Sequence, residues 1–348
     1  MVKTLEALKF RVTAPEPGIP EAVDGAVITA LNEEAIASAA LANKGGINII
    51  VTYEAFGAKM HGAVRQEIIF ATHCEEAGRP GGWLSIPLVL TSHTWENAKN
   101  EQSHQDPSMA EAMLGERSHV SRVLFPPDSN VTATVMQGVY QTQGQIWTLV
   151  VPKAAAIPDL FSRQEAETLL KDGAIRLDWS SHEPERSRIV LNAVGAYQLI
   201  EVLKASARLA ERNVAHTVVY MLEPGRFRLA RSVAEAAHAA PTSIRARLFP
   251  EGVKAFFFLT HTRPGRLLGI LSPLYEGRRA SALGYINQGG TLTTPGLLFI
   301  NRCTWAHCLT EAGRLLDMPR EQFLNPVELQ AIDGQISPHG VIIPEISH

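Results

Sequence analysis

Thr91-Ser92-His93-Thr94-Trp95-Glu96-Asn97-Ala98-Lys99-Asn100-Glu101-Gln102-Ser103-His104-Gln105-Asp106-Pro107 follows a short apolar run, Ile86 to Leu90. A run of that length bounded by polar residues has the pattern of a buried strand, so the polar groups gather in the loop leaving its carboxyl end. In open α/β sheets ligands sit at that end. The loop offers His93, Asn100, Ser103, His104 and Asp106, which donate, accept and shuttle protons at neutral pH, beside Lys99, which offsets anionic charge. On composition alone the same residues also describe a polar surface loop closed by its own turn hydrogen bonds.

Upstream of this stretch, Ala26 to Ala30 reads as a buried strand, and Asn32 N-caps a helix of small residues that ends at Lys44-Gly45-Gly46. Glu33 and Glu34 complement the dipole at the start of that helix. Ile47 to Thr52 is a further strand, followed by Tyr53 and Phe56, whose three-residue spacing lets both rings share a face and otherwise suits a core. Gly57 to Glu76 has helical periodicity, in which His61 and His73 read as surface or packed histidines. Downstream, His119 to Phe125 and Ile146 to Val151 are strands, Asp128 caps a helix, and Lys153 lies just past a strand end.

The pattern changes at residue 154. Ser162-Arg163-Gln164-Glu165 is a capping box opening a short helix, and from Arg188 onward apolar strands (Ile189 to Val194, Thr217 to Leu222, Ala255 to Thr260) alternate with helices such as Ala196 to Asn213. The expected organisation is an arm (1–24), an α/β domain (25–153), a folded linker (154–187) and a second α/β domain (188–348), the two domains built on parallel or mixed sheets. A length of 348 residues suits two cores.

A formal net charge of −3 gives no electrostatic reason for a nucleic-acid or membrane partner. Cys74, Cys303 and Cys308 are too few and too irregularly spaced for a disulfide framework or a zinc site, and His307 between the last two does not complete one. The N-terminus lacks a signal peptide's apolar segment and no later run reaches membrane-spanning length, so the chain reads as cytoplasmic.

The run Thr-Ser-His-x-Trp from Thr91, with Asn100 and Ser103-His104-Gln105-Asp106-Pro107, resembles the corresponding segment of phosphoketolases. The resemblance continues in Thr52-Tyr53-Glu54-Ala55-Phe56, in Phe125-Pro126-Pro127-Asp128-Ser129-Asn130, and in Gly284-Tyr285 with Gln288 to Pro295. It implies a thiamine diphosphate pyrimidine-binding domain followed by a transketolase-like C-terminal domain, the latter serving mainly assembly and sheet packing. By the same resemblance Glu33, with Glu34 in reserve, is the acid that hydrogen-bonds N1′ of the aminopyrimidine. There it promotes the imino tautomer that takes the proton from thiazolium C2, a role suited by a raised pKa. Tyr53 and Phe56 line the pyrimidine pocket, His104 acts as acid/base, and Lys99, Asn100, His104 and Lys153 contact substrate or phosphate.

The family's Gly-Asp-Gly stretch, which binds the metal that anchors the diphosphate, does not occur, and Lys171-Asp172-Gly173 is assigned nothing. The resemblance therefore implies one subunit of a split enzyme acting on a sugar phosphate. A separate chain would bind Mg2+ and the diphosphate, this chain would self-associate to a dimer, and a heterotetramer would form. The family's His-Asn-Gly-Phe run is Lys99-Asn100-Glu101-Gln102 here. That departure keeps open a ketol or acyl transferase using another acceptor, and a non-catalytic binding or regulatory paralogue.

Overall fold

The computed structural model describes residues 10–11, 17, 21–22, 32–79, 81–96, 100–153 and 156–345. Strand β1 (Phe10–Arg11) pairs in parallel with β2 (Glu21–Ala22). The strand expected at Ala26 to Ala30 lies outside the described residues. The helix Glu33–Ala42 begins where Asn32 predicts, the Asn32 side chain accepting the Ala35 amide at 2.8 Å.

The first sheet contains β3 (Ile50–Tyr53), β4 (Ile86–Thr91), β5 (Ser121–Leu124) and β6 (Ile146–Val150) in the order β3-β4-β6-β5, all parallel. Side chains of β4, β5 and β6 are almost entirely buried, which explains why these strands read as unbroken apolar runs rather than alternating ones. Strand β3 is at an edge among the described residues and does alternate: Ile50 is buried while Val51 and Tyr53 are exposed.

A second sheet is made of β7 (Ala174–Arg176), β8 (Ile189–Val194), β9 (His216–Met221), β10 (Ala255–Thr260) and β11 (Arg279–Leu283), in the order β11-β10-β8-β9-β7. Only β7 runs antiparallel. It lies within the stretch expected to link the two patterns, after the helix Arg163–Asp172, which Ser162 opens with the expected capping box and Gly173 (φ 83°) ends.

The sheets are fused rather than strung together. The Phe125 amide donates to the Leu222 carbonyl at 2.9 Å, the Tyr220 hydroxyl donates to the Phe125 carbonyl, and Arg122 forks onto Glu223 at 2.9 and 2.6 Å. Burial alone would raise the Glu223 carboxyl, but the adjacent Arg122 outweighs it and holds the group down at about 2. Two apolar clusters form the interior, and each draws on both sheets: one joins Leu124 and Leu149 to Leu191 and Phe257, the other Leu88 and Phe125 to Val190 and Phe256. Cys303 and Cys308 are fully buried in the first cluster, where burial pushes both thiols well up, while Cys74 is half-buried. No helix among the described residues is long and apolar enough to cross a membrane.

Candidate active site

The chain leaves β3 at Tyr53 and turns at once into a single helical turn, Glu54–Gly57. That turn is pinned from within. Glu54 is fully buried, and a Cβ on Gly57 would stand 2.9 Å from Leu90 and 3.0 Å from Met109, so the backbone is pressed against its neighbours. The turn presents Tyr53 and Phe56 outward as a stacked pair with ring centroids 5.9 Å apart.

Around this pair the structure gathers five of the seven sequence-derived candidates. The His104 ring lies 4.8 Å from Phe56 and 6.2 Å from Tyr53, centroid to centroid. The Lys153 ammonium stands 5.6 Å from the Tyr53 ring, and that of Lys59 stands 4.6 Å from the Phe56 ring. Lys59 also reaches Glu33 Oε1 at 3.3 Å, so Glu33, Lys59, Phe56, Tyr53, His104 and Lys153 form one continuous rim. Asn100 joins it only indirectly: its carbonyl accepts the Ser103 hydroxyl at 2.8 Å, and that hydroxyl lies 2.9 Å from His104 Nδ1. Lys99 lies outside the described residues. Glu34 is exposed on the helix beside Glu33 and contributes no contact to the rim.

One electrostatic expectation differs. The Glu33 carboxyl is lowered from the ordinary 4.5, first by a backbone amide at its helix start and then, against desolvation, by Lys59. A raised value needs an apolar wall over the carboxyl, whereas among the described residues the group beside Glu33 is the Lys59 ammonium.

Glu54, His261 and Glu96 drew no role from the sequence, and His93 stood out there only as one of the loop's polar groups. Glu54 accepts the Thr94 amide and hydroxyl, both at 2.8 Å, and lies 2.8 and 2.9 Å from His261 Nε2. Burial would raise Glu54, but the nearby His261 and His93 outweigh it and lower it. His93 stacks edge-on against His261 at 4.8 Å, and burial pushes its imidazole down to about 4. Glu96 accepts the Lys153 amide at 2.8 Å and the Tyr197 hydroxyl at 3.0 Å, which ties the Lys153 loop to the second half.

The loop carrying His104 is likewise held from the second sheet's side. Tyr285 donates to the Gln105 carbonyl at 2.6 Å, Gln105 and Gly290 exchange bonds at 3.0 and 3.2 Å, and Thr294 donates to the Trp95 carbonyl at 2.7 Å. Arg263 reaches Asp106 at 3.0 Å and Glu111 at 2.7 Å. Gly289 to Thr294 is thus a strap across the signature loop, and the second half of the chain frames the rim as well as packing the sheet.

Comparison with known proteins shows what the chain is similar to. Residues 1–142 match the family described as D-xylulose 5-phosphate/D-fructose 6-phosphate phosphoketolase. A probable phosphoketolase of Pseudomonas putida is 26% identical over 219 residues, covering 62% of this chain and 27% of that protein. Over these stretches the chain is similar to phosphoketolases, and its fold is similar to that of transketolases. Transketolase from Leishmania mexicana superposes with a TM-score of 0.65 at 16% identity, covering 87% of this chain and 39% of the transketolase. A split gene transketolase, described as an inactive beta4 tetramer, superposes with a TM-score of 0.55 at 15% identity, covering 84% of this chain and 83% of that one. Relative to the Pseudomonas protein, this phosphoketolase relative spans little more than a quarter of the length.

Proposed function

We propose that this chain is one subunit of a split, phosphoketolase-like thiamine diphosphate enzyme that cleaves a ketose phosphate in the cytoplasm. The observation that carries the reading is the rim itself: a carboxylate, a stacked aromatic pair, an imidazole and a lysine, drawn from four separate segments, meet on one partly exposed edge. The rim fits the pyrimidine end of the cofactor. Tyr53 and Phe56 offer ring faces, and Glu33 stands at their side, one lysine away. The rim does not fit the diphosphate end, for among the described residues no group of three or more metal-ligating side chains exists. Mg2+ and diphosphate are then held by a separate chain carrying the diphosphate-binding domain. The near-equal coverage with the split gene transketolase supports that division.

When bound, thiamine diphosphate supplies a carbon nucleophile for the ketose carbonyl. This chain's own residues do the rest. Glu33 holds a proton at pyrimidine N1′, displacing Lys59, and gains its apolar wall from the cofactor and partner. Tyr53 and Phe56 exclude water from the ring faces. His104, its Nδ1 beside the Ser103 hydroxyl, presents Nε2 for proton transfer to substrate oxygen, while Asn100, Lys153 and Lys99 hold phosphate.

Calorimetric titration of the isolated dimer with thiamine diphosphate and Mg2+ tests the division. Heat of binding is expected only after a chain bearing the diphosphate-binding domain is added and a heterotetramer forms. Tight, Mg2+-dependent binding by this chain alone overturns the split reading. In the assembled enzyme, ketose is expected to yield acetyl phosphate only when phosphate is present, with Lys153→Ala raising the phosphate requirement. Two-carbon extension of an added aldehyde without phosphate assigns the protein to ketol transfer instead.

A further inference from the structure

The buried pair Glu54–His261 joins residues 207 positions apart, one immediately behind the aromatic turn and the other just past β10. Taking a carboxylate out of water costs several kcal/mol that apolar packing avoids, and removing one partner leaves the other uncompensated. The site is nevertheless built around the pair. Gly195, at φ 111°, lets the backbone pass where a Cβ would sit 3.1 Å from His261 Cβ, and the His261 amide donates to the Val194 carbonyl at 2.8 Å. The Trp95 indole donates to the His261 carbonyl at 3.3 Å. His261 is therefore fixed through both backbone groups before its imidazole meets Glu54. Glu54 in turn spends its remaining lone pairs on Thr94, at the base of the signature loop.

We propose that Glu54 and His261 are positioning residues, through which the second half of the chain sets the angle of the Tyr53–Phe56 turn against His104. Among the described residues the turn is anchored on its buried side by this pair, by the bonds of Glu54 to Thr94, and by the close packing of Gly57 on Leu90 and Met109. Withdrawing the pair lets the turn pivot about Gly57 and carries the Phe56 ring away from His104. The consequence for cofactor binding rests on the function proposed above. The geometric claim does not.

The test is proton NMR of the full-length chain without cofactor, reading the imidazole Hε1 of His104, which feels the ring currents of Phe56 and Tyr53. His307, 5.3 Å from Phe299 and part of the other half, reports whether the fold is intact. In His261→Ala the His104 resonance is expected to lose its ring-current displacement while that of His307 stays. His261→Gln, whose amide still donates to Glu54, is expected to restore it. Should His261→Ala fail to fold, Glu54→Gln, which keeps the side-chain shape, is expected to give part of the same displacement. A His104 resonance that stays put in a folded variant overturns the proposal and reduces the pair to buried packing. In the assembled enzyme, His261→Ala is expected to raise the KM for thiamine diphosphate at least tenfold with little change in kcat. A displaced His104 resonance with an unchanged cofactor KM upholds the positioning role and overturns the pyrimidine site.

Discussion

Glu33 and Glu54 are two carboxylates on the same stretch of chain with opposite surroundings. Glu54 is fully buried and hydrogen-bonded to His261 and Thr94, whereas Glu33 is partly open beside Lys59 and a backbone amide of its helix start. Under the proposed function, Glu33 is therefore the one of the two that a pyrimidine would meet. Glu33→Gln is expected to lower turnover of the assembled enzyme at least about a hundredfold, with C2 proton exchange slowed in step. Exchange at the unaltered rate moves the role to Glu34 or removes it. The family resemblance, carried by local runs, singled out Glu33 and the Tyr53–Phe56 pair, which the fold sets along one rim with Lys59 between them. The role of Glu54 was not legible: the only sign was one charge amid Thr52-Tyr53-Glu54-Ala55-Phe56, and its partners stand 40 and 207 positions away.

Histidine burial sets an acid limit at the same scale. Burial pushes His93 and His307 down from 6.5 to about 4, so between those values the unfolded chain binds protons that the folded chain refuses. Stability is therefore complete above about pH 6.5 and falls as pH drops toward 4, by at most about 1.4 kcal/mol per pH unit for each histidine. Glu223 extends the loss from 4.5 down to about 2, because the unfolded carboxyl protonates first. Urea midpoints across pH 4 to 7 check this, and His307→Gln is expected to halve the two-histidine slope. A flat profile over that interval contradicts the burial.

Among the elements, strands and caps follow local rules and were read closely. β4, β6, β8 and β10 fall where the apolar runs lie, and Asn32, Asp128 and Ser162 cap the helices they precede. The strap at Gly289 to Thr294 stood in the sequence only as part of a family-like run, since its contact is with residues 102 to 105 far away in sequence. A Cβ on Gly289 would meet the Gln105 amide and stand 2.8 Å from Gln102 Cγ. Gly289→Ala is therefore expected to destabilise by about 1–3 kcal/mol through overpacking. It should also loosen the signature loop, seen as faster amide exchange at Gln105. Gly45→Ala is the control, because a Cβ there meets nothing within 4 Å.

At the scale of the whole molecule, the two sheets share their interior, so opening one half exposes the other. Alternating strands and helices announced two α/β layers in the sequence, but not their fusion, which depends on cross-chain pairs such as Arg122 with Glu223 and Tyr220 with Phe125. The three thiols turn that fusion into a clock. Cys74 is open to a thiol reagent in the native state, while Cys303 and Cys308 are sealed and their thiolates disfavoured. One equivalent is expected to label within the mixing time of an ordinary experiment and two at the rate at which the common interior breathes. Because those two sulfurs share a cluster with Trp95 and Leu124 beneath the rim, a partner chain that clamps the rim should slow their labelling without touching either one. Alkylation timed by mass spectrometry would then register how far a partner damps the breathing of that interior, with no assay of chemistry at all.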